Sequence, residues 1–242
     1  MNTLFELHHL CKSYKSGKKE IKALEDINLS ISKGEFVAIM GPSGSGKSTL
    51  LQCMASFDFP TSGQVLFKGK ERKKEEPFGF IFQDIQLLDS LNGYENIALA
   101  LTIQKENGNI MDQKIRDYAK KFEMESFLFQ YPYQMSGGQK QKIAFLRALI
   151  VNPKLIFADE PTSALDVSSA KQVLQALDTF HKKEKGTIVM VTHDAFCASF
   201  ASKVFFLKEG KLFKELQKEG STKEFWKKIH ETLSMLEVDH VS

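Results

Sequence analysis

The sequence predicts an α/β fold in which a parallel sheet is crossed by helices and interrupted by a largely helical insertion. Three observations carry this. Apolar runs of strand length recur at Glu35–Met40, Lys154–Ala158, Thr187–Thr192 and Lys203–Lys208. A helical period over about Ser168–Glu184 separates the second run from the third. From Asp84 to Val151 the apolar spacing is helical rather than strand-like. A chain of 242 residues suits one large α/β domain, or one core carrying a subdomain.

The elements follow in order. Leu4–Leu7 is a strand, and Ile27, Leu29 and Ile31 alternate with polar residues as a half-buried strand requires. Lys33-Gly34 is a turn. Phe36-Val37-Ala38-Ile39-Met40 is apolar throughout, as in a strand buried on both faces. A glycine-rich loop leads into a helix over about Lys47–Ser56. Pro60-Thr61-Ser62-Gly63 turns the chain into strands Gln64–Phe67 and Phe78–Phe82, with the mixed-charge stretch Lys68–Glu76 between them as a solvated hairpin or loop. Asn92 and Glu95 have capping-box spacing at the head of an apolar helix. Asp112–Glu123 places Ile115, Tyr118, Ala119 and Phe122 on one face. At the tail, Ser221 and Glu224 again have capping-box spacing. Phe225, Ile229, Leu233 and Leu236 then mark a helix that packs on its own domain or docks a partner.

Composition excludes several classes. The hydrophobic content of 42% rules out general disorder. Lys and Arg number 33 against 30 Asp and Glu, a net charge of +3, which gives no case for nucleic-acid binding. No apolar run approaches the roughly 18 residues that span a bilayer. The first residues lack the basic-then-apolar pattern of a secretory leader. Cys11, Cys53 and Cys197 show no metal-ligand spacing and read as reduced thiols buried as small hydrophobes. The expectation is a soluble, cytosolic chain whose membrane role, if any, needs a partner.

Four segments carry chemistry. Gly41-Pro42-Ser43-Gly44-Ser45-Gly46-Lys47-Ser48 matches G-x-x-x-x-G-K-[ST] at every fixed position. Its glycines let successive backbone N–H groups face one cavity, and that cavity with the next helix N-terminus holds phosphates. Lys47 extends a compact charge to the β- and γ-phosphates. Ser48 offers a hydroxyl to Mg²⁺, with Thr49 beside it. Leu155-Ile156-Phe157-Ala158-Asp159-Glu160 is an interior strand with two carboxylates at its C-terminal end, where ligands bind in open α/β sheets. Asp159 suits Mg²⁺, directly or through water, and Glu160 suits the attacking water. His193 follows the Thr187–Thr192 strand at the same edge and suits the γ-phosphate. Ser136-Gly137-Gly138-Gln139, at the head of a helix over about Gln139–Val151, forms a second phosphate nest. One nucleotide does not need two nests from one chain, so a second copy supplies the other.

With these motifs in place, the chain resembles the ATP-binding subunits of ABC transporters over residues 1 to about 215. The resemblance implies the ABC ATPase fold: a P-loop NTPase core with a parallel sheet, an N-terminal antiparallel β subdomain and a helical insertion. It divides the chain into a core of 1–83 and 152–220, a helical subdomain of 84–151 and a C-terminal helix of 221–242. Tyr14 stands where the family stacks an aromatic on adenine. Gln83 matches the glutamine that senses Mg²⁺ and water, and Met135–Gln139 the signature loop, with Met for the usual Leu. Ser163-Ala164-Leu165-Asp166 matches the D-loop, placing Asp166 at the nucleotide. The family implies two ATP-binding subunits closing head to tail on ATP and Mg²⁺, with each ATP between Lys47 of one and Ser136 of the other. Closure reaches a membrane permease around Gln83 and the insertion, where Phe82, Leu87, Leu88, Leu91 and Tyr94 lie. The expected location is the cytoplasmic face of the membrane.

Within the family, Ala38–Lys47 and Tyr131-Pro132 look like the macrolide-export and lipoprotein-release branch. Thr192–Phe200 and Ser221–Ile229 look like the bacitracin-type peptide-resistance ATPases within it. That branch implies a ten-helix permease with a large outer domain, often beside a sensor histidine kinase. The alternatives are lipoprotein release or macrolide export and, more remotely, a soluble ABC protein acting on ribosomes or nucleic acid. Lys142 replaces the usual arginine after the signature, Phe145-Leu146 replaces smaller residues, and Lys68–Glu76 is shorter than in typical branch members.

Overall fold

The computed structural model describes residues 3–17, 19–71 and 78–238. In chain order the elements begin β1 (Thr3–Ser16), β2 (Lys19–Ser32), β3 (Phe36–Met40), α1 (Lys47–Ala55), β4 (Ser62–Phe67), β5 (Lys70–Glu71) and β6 (Gly79–Ile81). There follow α2 (Gly93–Ile103), α3 (Gly108–Lys121), a 3-10 turn at Pro132–Gln134, α4 (Gly137–Leu149), β7 (Leu155–Asp159) and α5 (Val167–Glu184). The chain ends with β8 (Thr187–Val191), α6 (Ala195–Ala198), β9 (Lys203–Lys208), β10 (Lys211–Gln217) and α7 (Thr222–Val238). It packs as two compact units, residues 1–76 with 181–242, and residues 77–180.

In the first unit, β3 pairs in parallel with both β8 and β9, and β10 adds antiparallel to β9. Every residue of β3 and of β8 is buried, as the continuous apolar runs require. A separate antiparallel sheet has the order β2-β1-β4-β5. Its first two strands are 14 residues each, far longer than the apolar patterns at Leu4–Leu7 and Ile27–Ile31 suggest. Residues 19–22 are exposed, so main-chain pairing rather than burial holds them and no alternation betrays them. The register slips between Leu7 and Leu10. There His9 adopts φ 49° and its amide donates to Asn28 Oδ1 at 2.8 Å. Strand β10 was not apparent either: it is a charged, largely exposed edge, which discourages pairing with other chains. Of the Lys68–Glu76 stretch, Lys70 and Glu71 pair back onto β4, and 72–76 lie outside the described residues.

The tail helix packs on its own unit. Ser221 and Glu224 cap it reciprocally, with the Glu224 amide 3.3 Å from Ser221 Oγ and the Ser221 amide 2.8 Å from Glu224 Oε2. Phe225, Ile229 and Leu236 are fully buried, while Leu233 is half-buried and Trp226 stands partly exposed, edge-on to His230. Cys53 and Cys197 are buried as expected. Cys11 is only half-buried, and its sulfur accepts from the Asp26 amide at 3.3 Å.

In the second unit β6 pairs in parallel with β7. Asn92 and Glu95 form the expected capping box on α2. Asn96, fully buried, donates to the carbonyls of Leu88, Leu91 and Asn92 and accepts from the Leu88 amide, which fixes the segment entering α2. Ile115, Ala119 and Phe122 are buried on one face, with Tyr118 half-buried. Phe145, unusually bulky for its place, meets Phe122 edge-on at 5.4 Å. Lys142 donates to Gln172 Oε1 at 3.0 Å, a single bond that needs no arginine fork.

Phe225→Ala should lower stability by about 3–4 kcal/mol, the cost of deleting a fully buried aromatic. Urea unfolding followed by the fluorescence of Trp226, the only tryptophan, measures it.

Candidate functional site

In the first unit the loop after β3 is fixed by close approach. A Cβ on Gly41 would overlap the Leu207 carbonyl oxygen, and one on Gly46 the Ala23 carbonyl oxygen. Gly44 and Gly46 have φ of 77° and 97°, which glycine adopts without strain. The loop is further tied by the Gly210 amide donating to Ser45 O. Gly46 then caps α1 without a side-chain cap hydrogen bond, at a helix N-terminus of the kind that attracts anions. Lys47 Nζ donates to the carbonyls of Gly41 and Pro42 at 2.9 and 2.8 Å, arching over its own loop. Ser43 and Gly44 are exposed, whereas Lys47, Ser48 and Thr49 are half-buried. Ser45 Oγ is buried without a hydrogen-bond partner.

His193 lies at the same end of this sheet. Strand β3 pairs with β8 through Ile39 and Val191, and the Thr192 amide donates to Ile39 O. The loop carrying Lys47 and the exposed His193 therefore leave neighbouring parallel strands at their C-terminal ends, as the sequence predicts. Tyr14 on β1 is 38% exposed, enough for a flat ligand to lie on it. Its hydroxyl donates to Asp58 Oδ2 at 2.7 Å.

The second unit holds the carboxylates and the second nest. Strand β7 is buried along its length and ends in Asp159, with Glu160 next; both side chains are nearly buried. Glu160 takes a left-handed backbone, φ 49°, rare for a non-glycine residue. Its carbonyl accepts from both the amide and the hydroxyl of Ser163, which hold that turn. Gln83 is exposed just beyond β6. Asp166 accepts from the amides of Ser168 and Ser169, both at 3.0 Å, and so caps α5. The Ser169 and Ser168 contacts hold its carboxyl below the usual range.

Ser136 heads α4. It accepts from the Gln139 amide at 3.3 Å, and the Ser136 amide donates to Gln139 Oε1 at 2.8 Å. Gly137 is exposed, and a Cβ there would meet nothing within 4 Å. Gly138 is half-buried, and a Cβ there would lie 3.6 Å from Leu165 Cδ2 and 3.7 Å from the Ala164 carbonyl oxygen. Sequence reasoning missed Gln141. It is fully buried on α4 and its Nε2 donates to the Pro161 carbonyl at 3.2 Å, tying the nest's helix to the loop after Glu160. A polar side chain inside an apolar helical period is the only trace it leaves in the sequence.

These residues fit the groups the sequence implies. The first loop offers backbone donors, a lysine and space that only glycine leaves, which suits polyphosphate. The Ser48 hydroxyl and the Asp159 carboxylate are each oxygen ligands of the type Mg²⁺ takes.

The comparisons with known proteins agree. The family model described as ABC transporter matches residues 24–163. The chain is 42% identical to the ABC transporter ATP-binding protein YxdL of Bacillus subtilis, over 98% of this chain and 95% of that one. It is 41% identical to the bacitracin export ATP-binding protein BceA of Halalkalibacterium halodurans, over 96% of each. Among solved structures, the dimeric post-hydrolysis state of the ATP-binding cassette MJ0796 bound to ADP and Pi superposes with a TM-score of 0.85 at 36% identity. It covers 90% of this chain and all of that one. The chain belongs to the ABC transporter family and is an ATP-binding, ATP-hydrolysing subunit of it.

Proposed function

We propose that the chain pairs head to tail with a second copy around two ATP molecules, and that this closure drives a separate permease exporting antimicrobial peptides of the bacitracin type. The observation that carries the pairing is the open start of α4: Ser136 and Gly137 are exposed, and a Cβ on Gly137 would meet nothing within 4 Å, so a helix N-terminus of anion-binding donors is accessible there. The 41% identity to BceA, over nearly the whole of both chains, supports the cargo. MacB of Chlorobaculum tepidum, a macrolide export ATP-binding/permease protein, is 37% identical over 90% of this chain, which spans 35% of that protein. It keeps macrolide export as the second reading.

In this reading Gly41, Ser43, Gly44, Ser45 and Gly46 cradle the phosphates with their amides, Lys47 takes the β- and γ-phosphates, and Tyr14 stacks on adenine. Ser48, Gln83 and Asp159 hold Mg²⁺, with Thr49 adding a second hydroxyl beside Ser48. The bound ion supplies charge neutralisation on the phosphate oxygens. Glu160 accepts a hydrogen bond from the water that attacks the γ-phosphorus, while the bond to the β–γ bridging oxygen breaks and ADP leaves. His193 donates to the γ-phosphate as charge builds on it. From the other copy, Ser136, Gly137, Gly138 and Gln139 close on the same γ-phosphate, and Asp166 lines the seam. Residues 1–83 and 152–220 act as the core, 84–151 as the helical subdomain and 221–242 as the C-terminal helix.

No helix among the described residues is long and apolar enough to cross a membrane. In this reading a separate permease holds the subunit at the cytoplasmic face. Leu88, exposed just before α2, is among the side chains offered to it.

Two substitutions separate binding from turnover. Glu160→Gln should keep ATP binding and lower the steady-state hydrolysis rate by about 10²-fold or more; phosphate release and nucleotide titration measure the two. Lys47→Ala should weaken ATP binding by roughly tenfold or more, through loss of a charge-assisted contact. Cargo is tested by purifying the chain from membranes with its bound permease and challenging permease-deleted cells with bacitracin and with a macrolide. Selective sensitisation to bacitracin supports the first reading, and sensitisation to the macrolide alone the second.

A further inference from the structure

Asp58 belongs to no motif, yet both of its carboxylate oxygens accept hydrogen bonds. Its own amide donates to Gln52 O at 3.3 Å, which pins it to the last turn of α1 after Ser56 ends the helix in a left-handed turn. One carboxylate oxygen accepts from Lys12 Nζ at 2.5 Å and from the Phe59 amide at 2.7 Å. The other accepts from the Tyr14 hydroxyl at 2.7 Å. Lys12 also donates to the Phe59 carbonyl, and its ammonium lies 5.0 Å from the centre of the Tyr14 ring. The surrounding loop is stitched to β1 by the Thr61 amide on Cys11 O and by the Ser13 amide on Thr61 Oγ1. The Lys12 and Asp58 side chains are 12% and 27% exposed, so this is a largely desolvated pair rather than a solvated one. Burial alone would push the Asp58 carboxyl up, but the bonds from Lys12, Tyr14 and Phe59 outweigh it and hold it below the usual range.

We propose that Asp58 and Lys12 are positioning residues that set the height and tilt of the Tyr14 ring above α1, and so fix where a purine base lies relative to the phosphates. The logic is geometric. The head of α1 carries the phosphate loop, and the residue just past its tail holds the ring, so one rigid helix spaces the two ends of the nucleotide. Lys12 occupies one face of the ring, which leaves the base to the opposite face. The inference rests on the reading of Tyr14 as the base platform, and the test separates the two.

The test uses the full chain. NMR titration of the Gly46 and Lys47 amide signals follows the binding of ADP and, separately, of pyrophosphate, which carries no base. Tyr14→Phe removes only the hydroxyl from a partly exposed ring. Asp58→Ala removes the anchor. Each should weaken ADP about tenfold, the factor that one lost charge-assisted hydrogen bond corresponds to. The double variant should lose little more than either single one, and pyrophosphate affinity should not change. Tyr14→Ala should weaken ADP at least as much as either. Unchanged ADP affinity in Tyr14→Phe and Asp58→Ala, with loss in Tyr14→Ala, overturns the positioning role and keeps the platform. Unchanged affinity in Tyr14→Ala overturns the platform and the proposal together. A parallel fall in pyrophosphate affinity shows that Asp58 supports the loop as a whole, which also overturns the proposal.

Discussion

The structure of the site depends on one constraint: a row of backbone amides must be held facing a concentrated negative charge, with no side chain in the way. Gly41 and Gly46 satisfy it by necessity rather than preference, since a Cβ on either would strike a main-chain carbonyl of a neighbouring strand. Those strands are buried along their length or hydrogen-bonded into sheets, so the loop cannot relax to admit a larger residue. The donors are therefore ordered before any phosphate arrives, and little reorganisation is needed on binding. The Lys47 side chain, resting on Gly41 and Pro42 carbonyls, is held beside the same space.

A second constraint of the same kind acts at Ser136. Capping by Ser136 and Gln139 fixes the start of α4, and Gly137 there is exposed with no group within 4 Å of where a Cβ would stand. Buried Gln141 then links that helix to the turn after Glu160, whose left-handed backbone is held by Ser163. Anything that engages the nest thus bears, through α4, on the carboxylate proposed to orient the attacking water. This is a chain of hydrogen bonds within one unit, from α4 to the turn that carries Glu160.

The chemistry was legible in the sequence because it depends on residue types at fixed spacing. The glycine loop, Asp159-Glu160 after an apolar run and Ser136–Gln139 before a helical period can be read without coordinates. The buried strands β3 and β8 were equally plain, since burial on both faces leaves continuous apolar runs. What stayed hidden is held by polar pairing. The outer halves of β1 and β2 and all of β10 are exposed, so their hydrogen bonds leave no hydrophobic pattern. Asp58, Lys12 and Gln141 act through partners far along the chain, 46 residues away for Lys12 and Asp58, and no local pattern encodes such a pairing. Half-buried Cys11 differs from expectation where the pairing of β1 with β4 shifts register, between His8 and Cys11.

The central claim is that each nucleotide is enclosed by unlike faces of two copies. It is tested most directly by differently tagged copies, one carrying Ser43→Cys and the other Ser136→Cys. Both carry Glu160→Gln and have the native cysteines replaced by alanine. A short bifunctional maleimide should join the two tags when ATP is present and not with ADP or without nucleotide. Joining that ignores nucleotide, or its absence with ATP bound, contradicts the account.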